Sequence, residues 1–177
     1  VGGDTLQIEV NKMPGKGDLE LTGQMGDVMK ESALTGLSYV RSVSEKYSVS
    51  PEVYKENDFH IHIPEGAVPK DGPSAGITMT TALASLVSGN AVAPTIAMTG
   101  EVSLRGVVTP IGGLPEKLMA AQRSGVTRVF IPKENLDDLQ DVAEEVRECL
   151  EIIPVESVAE VLSALGIPCR GAVSIAG

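Results

Sequence analysis

Ser74 is the side chain whose surroundings point most directly to chemistry. It stands near the end of Pro64-Glu-Gly-Ala-Val-Pro-Lys-Asp-Gly-Pro-Ser-Ala-Gly76, thirteen residues with three prolines and three glycines. Proline and glycine at that density fix an irregular backbone. Such a turn suits holding one hydroxyl, and the amides around it, in a set place. Gly72, Ala75 and Gly76 keep bulk away from Ser74, so another backbone can approach. The simplest role for a serine at a helix start is an N-cap. The chemical alternative is a nucleophile, with the free amides of the helix N-terminus facing the oxyanion of an acyl transfer. A third reading takes Gly72-Pro-Ser-Ala-Gly76 as a phosphate cradle in a small-molecule phosphotransferase, although the stretch is not the G-x-x-x-x-G-K-[ST] loop.

A nucleophilic serine needs a base. The chain has two histidines, His60 and His62, two apart on an expected strand and so on one face. A His-x-His pair can bind a metal, but a zinc site usually wants three or four ligands, and no motif supplies the others. No metal is therefore expected. Lys117 is the stronger candidate base. At about 100° per residue, Leu114, Leu118 and Ala121 form an apolar stripe and Lys117 falls within about 60° of it. Glu116 and Arg123 fall opposite. Lysines ordinarily snorkel out of such positions. Burial there instead favours the uncharged amine, which can accept a serine proton. Thr99, in Thr99-Gly100-Glu101, is either a plain β-former or a hydroxyl that orients the amine. Asp71 and Glu65 form a conceivable carboxylate pair, but loop carboxylates are more often simply solvated.

These residues must be positioned by alternating elements. Residues 5–10 and 19–22 alternate polar and apolar around Pro14-Gly-Lys-Gly17, which predicts a hairpin. Apolar spacing from Asp27 to Tyr47 predicts a long helix, and Ser48 to Asn57 a polar connection. Residues 58–63 form the strand before the proline-rich stretch, and a helix runs from Ser74 to Gly89. Thr95–Glu101 and Val107–Ile111 read as strands, and 114–124 as a helix with Pro115 in its first turn, where proline is tolerated. Strands at 128–131 and 151–155 alternate with helices at 134–142 and 157–165, the last capped by Ser157. The fold class is therefore α/β, with an N-terminal hairpin and βαβ units around a partly parallel sheet.

The totals agree with one domain over 1–177, its tail from about 171 to 177 unstructured. Hydrophobic residues make up 42% of the chain and Trp is absent, so the core is aliphatic. A net charge of −10 argues against a nucleic-acid partner. No apolar run reaches the roughly 18 residues of a membrane span. Cys149 and Cys169 are too few for a disulfide framework, which points to a reducing compartment. The initial Val1 suggests a fragment or a processed product.

Two blocks carry a resemblance. Residues 64–76 closely resemble the active-site signature of the ATP-dependent Lon proteases. Met98-Thr-Gly-Glu-Val-Ser-Leu-Arg-Gly-Val-Val-Thr-Pro-Ile-Gly-Gly-Leu-Pro-Glu-Lys117 is similar to that family's lysine-bearing segment. The similarity runs from Val1 to about Leu165. It implies a Ser-Lys dyad on a fold like the second domain of ribosomal protein S5, with Ser74 as nucleophile, Lys117 as general base and Thr99 orienting the lysine. Asp71, followed by Gly72 and Pro73, matches the segment that opens or closes the site. His60 and His62 match histidines near the site in the bacterial and mitochondrial branch. Pro115 departs from the family, which more often has a charged residue there. The resemblance further implies an isolated proteolytic domain without cofactor, the ATP and Mg²⁺ belonging to an AAA+ module that is absent here. It implies unfolded polypeptide substrates, homo-hexamers, and a cytoplasmic or mitochondrial-matrix location. The remaining alternative is a non-catalytic domain on a related fold.

Overall fold

The computed structural model describes residues 7–64 and 72–169. Asp71, Glu65 and the tail from 171 lie outside the described residues.

Strand β3 (Asn57–His62) is the centre of the first sheet, and its two faces follow the period of two. Phe59 and Ile61 are fully buried, as is Ile63 just beyond, while His60 and His62 between them stay partly exposed. β1 (Glu9–Pro14) pairs with β3 antiparallel, and β2 (Leu19–Thr22) pairs with it in parallel. The order is β1-β3-β2. The expected hairpin of β1 and β2 is thus not formed, because β3 lies between the two strands. The turn that joins them is built around Asp58 instead. Its Oδ1 accepts from the amides of Lys16 (2.8 Å), Gly17 (3.1 Å) and Asp18 (2.9 Å). Gly15 donates to Glu56 O at 2.9 Å, and a side chain at Gly15 would collide with the Asp58 carboxylate.

The buried face of this sheet is covered by α1 (Asp27–Val43) and α3 (Gly76–Ser88), which pack against each other. Met29, Ala33, Leu37 and Val40 of α1 recur at helical spacing and are buried. Gly36 permits the close crossing, since a Cβ there would meet Thr80 Oγ1. The helix expected to run to Tyr47 tightens into a 3-10 turn at Ser44–Tyr47. The supposed polar connection contains a short helix, α2 (Glu52–Glu56). Its buried Tyr54 shares a hydrogen bond with Ser44.

The strand expected over Thr95–Glu101 is two strands in different sheets. β4 (Ile96–Met98) ends where Thr99-Gly100 turns the chain, and β5 (Glu101–Val102) pairs antiparallel with β6 (Val108–Thr109). β4, β7 (Arg128–Pro132) and β8 (Glu151–Val155) form a parallel sheet in the order β4-β7-β8. Between its strands lie α4 (Leu114–Arg123), a 3-10 segment at Lys133–Asp141, where a helix was expected, and α5 (Glu144–Cys149). α6 (Val158–Ala164) closes the described chain, with Ser157 Oγ accepting from Glu160 N at 3.3 Å as its cap.

This parallel sheet separates two apolar cores. Phe130 enters the larger, with α1, α3, α6 and β3, whereas Val129 and Ile131 enter the smaller, with Leu114, Leu118 and Ala121 of α4. β4 divides in the same way: Ile96 and Met98 pack on the larger core and Ala97 on the smaller. The chain is a mixed α/β protein, and the strand alternation decides which core each side chain joins.

Candidate active site

Ser74 lies two residues before α3, and its hydroxyl is not the helix cap. The cap position is Ala75, and no side chain caps this end. The turn is set by Gly72, whose φ of +109° disfavours any side chain, and by a hydrogen bond from Gly76 N to Pro73 O at 3.0 Å. Two further bonds stitch it to the end of β4. Gly100 N donates to Ser74 O at 2.9 Å, and Ile77 N donates to Gly100 O at 3.0 Å. Gly76 allows this approach, since a Cβ there would come within 3.3 Å of Val102 N. Among the described residues, the N–H groups of Ser74 and Ala75 have no hydrogen-bond partner. Donors of that kind, rigidly held, suit an oxyanion.

Thr99 is buried at 7% exposure, and its amide continues the parallel ladder to Phe130 O at 3.1 Å. Thr99 follows directly on β4, and the Gly100 after it carries the bonds to Ser74 and Ile77. Ser74 and Thr99 therefore meet at the carboxyl end of β4. In open α/β sheets that is the edge where sites form.

Lys117 occupies the first turn of α4. The helix starts from Gly113, with φ +72°, has Pro115 in that turn, and begins its bonding with Lys117 N to Gly113 O at 3.1 Å. Leu114, Leu118 and Ala121 are buried, Glu116 and Arg123 are exposed, and Lys117 is half-buried. The periodicity thus gives the correct flank for the lysine. The segment leading into the helix is clamped by Asn135, which follows the end of the neighbouring strand β7. Ile111 N donates to Asn135 Oδ1 at 2.9 Å, and Asn135 Nδ2 donates to Ile111 O at 2.9 Å and to Asp138 Oδ2 at 2.7 Å. The segment that enters α4 is consequently held just beyond the carboxyl end of β7. Among the described residues no hydrogen bond joins Ser74 Oγ to Lys117 Nζ. Catalytic bonds often tighten only when substrate is bound.

Sequence reasoning missed Asn135. It shares spacing with Leu139 and Val142, at i, i+4 and i+7, so an amide on an apolar stripe was the available signal.

The two histidines stand on β3. His60 and His62 point from β3 away from the core and line an open cleft of about 360 Å³ with Glu9, Val10 and Asn11. Both imidazoles bond one hydroxyl: Thr22 Oγ1 is 2.7 Å from His60 Nε2 and 2.6 Å from His62 Nδ1. That hydroxyl has a single proton to donate, so one of the two ring nitrogens must itself be the donor. Neither imidazole hydrogen-bonds Ser74 or Lys117 among the described residues. No group of three or more His, Cys, Asp or Glu among the described residues is placed to hold a metal.

Residues 1–167 match the family described as Lon protease (S16) C-terminal proteolytic domain. The chain is 60% identical over 162 residues to the Lon protease of Lachnoclostridium phytofermentans, covering 92% of this chain and 20% of that protein. It is 58% identical over 162 residues to the Lon protease of Clostridioides difficile, covering 92% and 21%. To Lon protease 1 of Bacillus subtilis it is 56% identical over 162 residues, with the same coverage. The chain spans about a fifth of the length of these curated relatives. With a family match over nearly its whole length and relatives well above half identical, the chain belongs to the Lon protease C-terminal proteolytic domain family.

Proposed function

We propose that this chain is a serine endopeptidase domain that hydrolyses peptide bonds through a Ser74–Lys117 dyad, on a fold like the second domain of ribosomal protein S5. The observation that carries this reading is the serine turn. Its hydroxyl has no capping role, its neighbouring amides are unpaired among the described residues, and its backbone is stitched to the strand that ends in Thr99. A helix cap would have used that hydroxyl.

Lys117, as the free amine, takes the Ser74 proton while Oγ attacks the substrate carbonyl. The Ser74 and Ala75 amides receive the oxyanion of the tetrahedral intermediate. Collapse breaks the C–N bond, and the Lys117 ammonium gives its proton to the departing amine. Water then attacks the ester, passing a proton to Lys117, and the second collapse returns that proton to Ser74 Oγ. Thr99 orients the amine, and Asp71 belongs to the segment that gates the site.

The biological setting follows the same reading. The domain degrades unfolded or damaged polypeptides in the bacterial cytoplasm, as the proteolytic part of a hexameric protease whose AAA+ module uses ATP and Mg²⁺. Among the described residues, no helix is long and apolar enough to cross a membrane.

The test is cleavage of an unstructured peptide by the chain. Ser74→Ala and Lys117→Ala, made separately, should each lower kcat/KM by at least about 10³-fold, since removing either member of a nucleophile–base pair disables both. Near-normal cleavage by either variant would reject the dyad. Saturable nucleotide binding without cleavage would support a phosphotransferase instead.

A further inference from the structure

The start of α4 has a weak point. Two glycines, Gly112 and Gly113, join Ile111 to Leu114, and a Cβ at either would meet nothing within 4 Å. Both are exposed. Neither glycine therefore helps to fix the direction in which the chain leaves Ile111, although Leu114, Leu118 and Ala121 seat the helix in the smaller core farther on. Ahead of that packing, Ile111 itself is held by the two-way amide clamp of Asn135 on its N–H and C=O, with Asp138 taking the second Nδ2 proton. All three bonds lie between 2.7 and 2.9 Å, and Asn135 is only 4% exposed. Its amide thus uses its carbonyl oxygen and both N–H groups to hold one backbone unit and one carboxylate, leaving no donor over. Lys117 is one helical turn downstream, bonded through its own amide to Gly113 O.

We infer that Asn135 is the positioning residue for Lys117: by gripping Ile111 it sets the angle at which α4 begins, and so the reach of the lysine amine toward Ser74. This rests on the serine–lysine reading above. A side chain needed only for stability would be replaceable by any change of equal stability. A positioning residue is not, because a displacement on the order of 1 Å lowers turnover about 10²-fold.

The experiment compares Asn135→Ala with Val146→Ala, a truncation in the same smaller core on α5. Both are assayed on an unstructured peptide, well below the melting temperature of either variant, with Ser74→Ala and Lys117→Ala in parallel. The rate at which a serine-directed covalent reagent labels Ser74 is followed by mass spectrometry. Asn135→Ala should lower kcat and the labelling rate together by about 10²-fold, with KM within about twofold. Val146→Ala should keep both rates near those of the unsubstituted chain. If the two variants keep kcat within about threefold of each other, the positioning role is overturned. Should Asn135→Ala fail to fold, Asn135→Asp decides. It matches the native side chain in size but sets a carboxylate against Ile111 O and Asp138, and should lower kcat at least about tenfold. Unchanged turnover in that variant also overturns the inference. If instead Ser74→Ala and Lys117→Ala leave cleavage intact, the dyad itself has failed, an outcome distinct from either result at Asn135.

Discussion

The two halves of the candidate site are held by different physics. Ser74 is pinned by main-chain bonds to Gly100, and the close approach depends on side chains being absent at Gly76 and Gly100. Lys117 rides on a helix whose entry is gripped by one buried side-chain amide. Main-chain stitching is indifferent to most substitutions but intolerant of added volume. A side-chain clamp is the reverse: it tolerates volume nearby and fails when one residue changes. The parallel sheet joins the halves, each strand sending alternate residues into the two cores.

The largest expected effect tests whether the two cores are one cooperative unit. Phe130→Ala empties a fully buried ring site in the serine half and should lower stability by about 3–5 kcal/mol. Leu118→Ala in α4 should lower it by about 2–5 kcal/mol. Denaturant unfolding followed separately by a probe in each half reads the outcome. A single shared transition in both variants fits a β7 that couples the cores, whereas a transition confined to the mutated half would separate them.

A smaller effect separates the two kinds of holding. Gly100→Ala places a methyl 2.8 Å from Val108 Cγ1 and 3.6 Å from Pro132 Cγ. Overpacking there should lower stability by about 1–3 kcal/mol, and turnover should fall as Gly100 shifts away from Ser74 and Ile77. Gly112→Ala meets nothing within 4 Å, and its φ lies outside the left-handed region. It should change stability by no more than about 0.5 kcal/mol. Equal losses at the two glycines, in paired thermal melts and peptide assays, would remove the contrast.

What was legible in the sequence follows the same division. Short-range signals were accurate: the helix after Ser74 ends at Gly89 in the left-handed conformation, Ser157 caps α6, and Lys117 lies on the flank its spacing indicates. Long-range ones were not. β1 and β2 look like a hairpin because a hairpin is decided by the turn between them. Here the turn's amides are satisfied by Asp58, some forty residues later, which no local pattern displays. Ile96–Met98 is apolar and the threonines on either side are β-formers, so the pattern reads as one strand, whereas the change of sheet at Gly100 follows from its bonds to Ser74 and Ile77. Asn135 drew no reading of its own, since a clamp is visible only once its partner 24 residues away is in place. Asp71 and the rest of residues 65–71 lie outside the described residues.

The smallest effect compares two side-chain clamps on backbone, one ionised and one neutral. Asp58 gathers three amides on one oxygen, and the N–H groups of Asp18 and Lys16, with that of Gly17, hold its carboxyl below the ordinary carboxylate range. A group whose folded value is depressed contributes stability that is fully present above its ordinary value of 3.8 and is lost as pH falls through the folded value. Asp58→Asn should therefore be less stable than the unsubstituted chain near neutral pH, and the difference should shrink as the pH drops below about 4. The clamp of Asn135 carries no ionisable atom of its own. The stability difference between Asn135→Ala and the unsubstituted chain should then stay nearly constant over the same pH range, because the amide that grips Ile111 does not ionise. Denaturant melts at pH 7, 5 and 3.5 measure both. A gap for Asp58→Asn that stayed constant across the series would mean that shape alone, and not the ionised carboxylate, holds the turn that keeps β1 and β2 on opposite sides of β3.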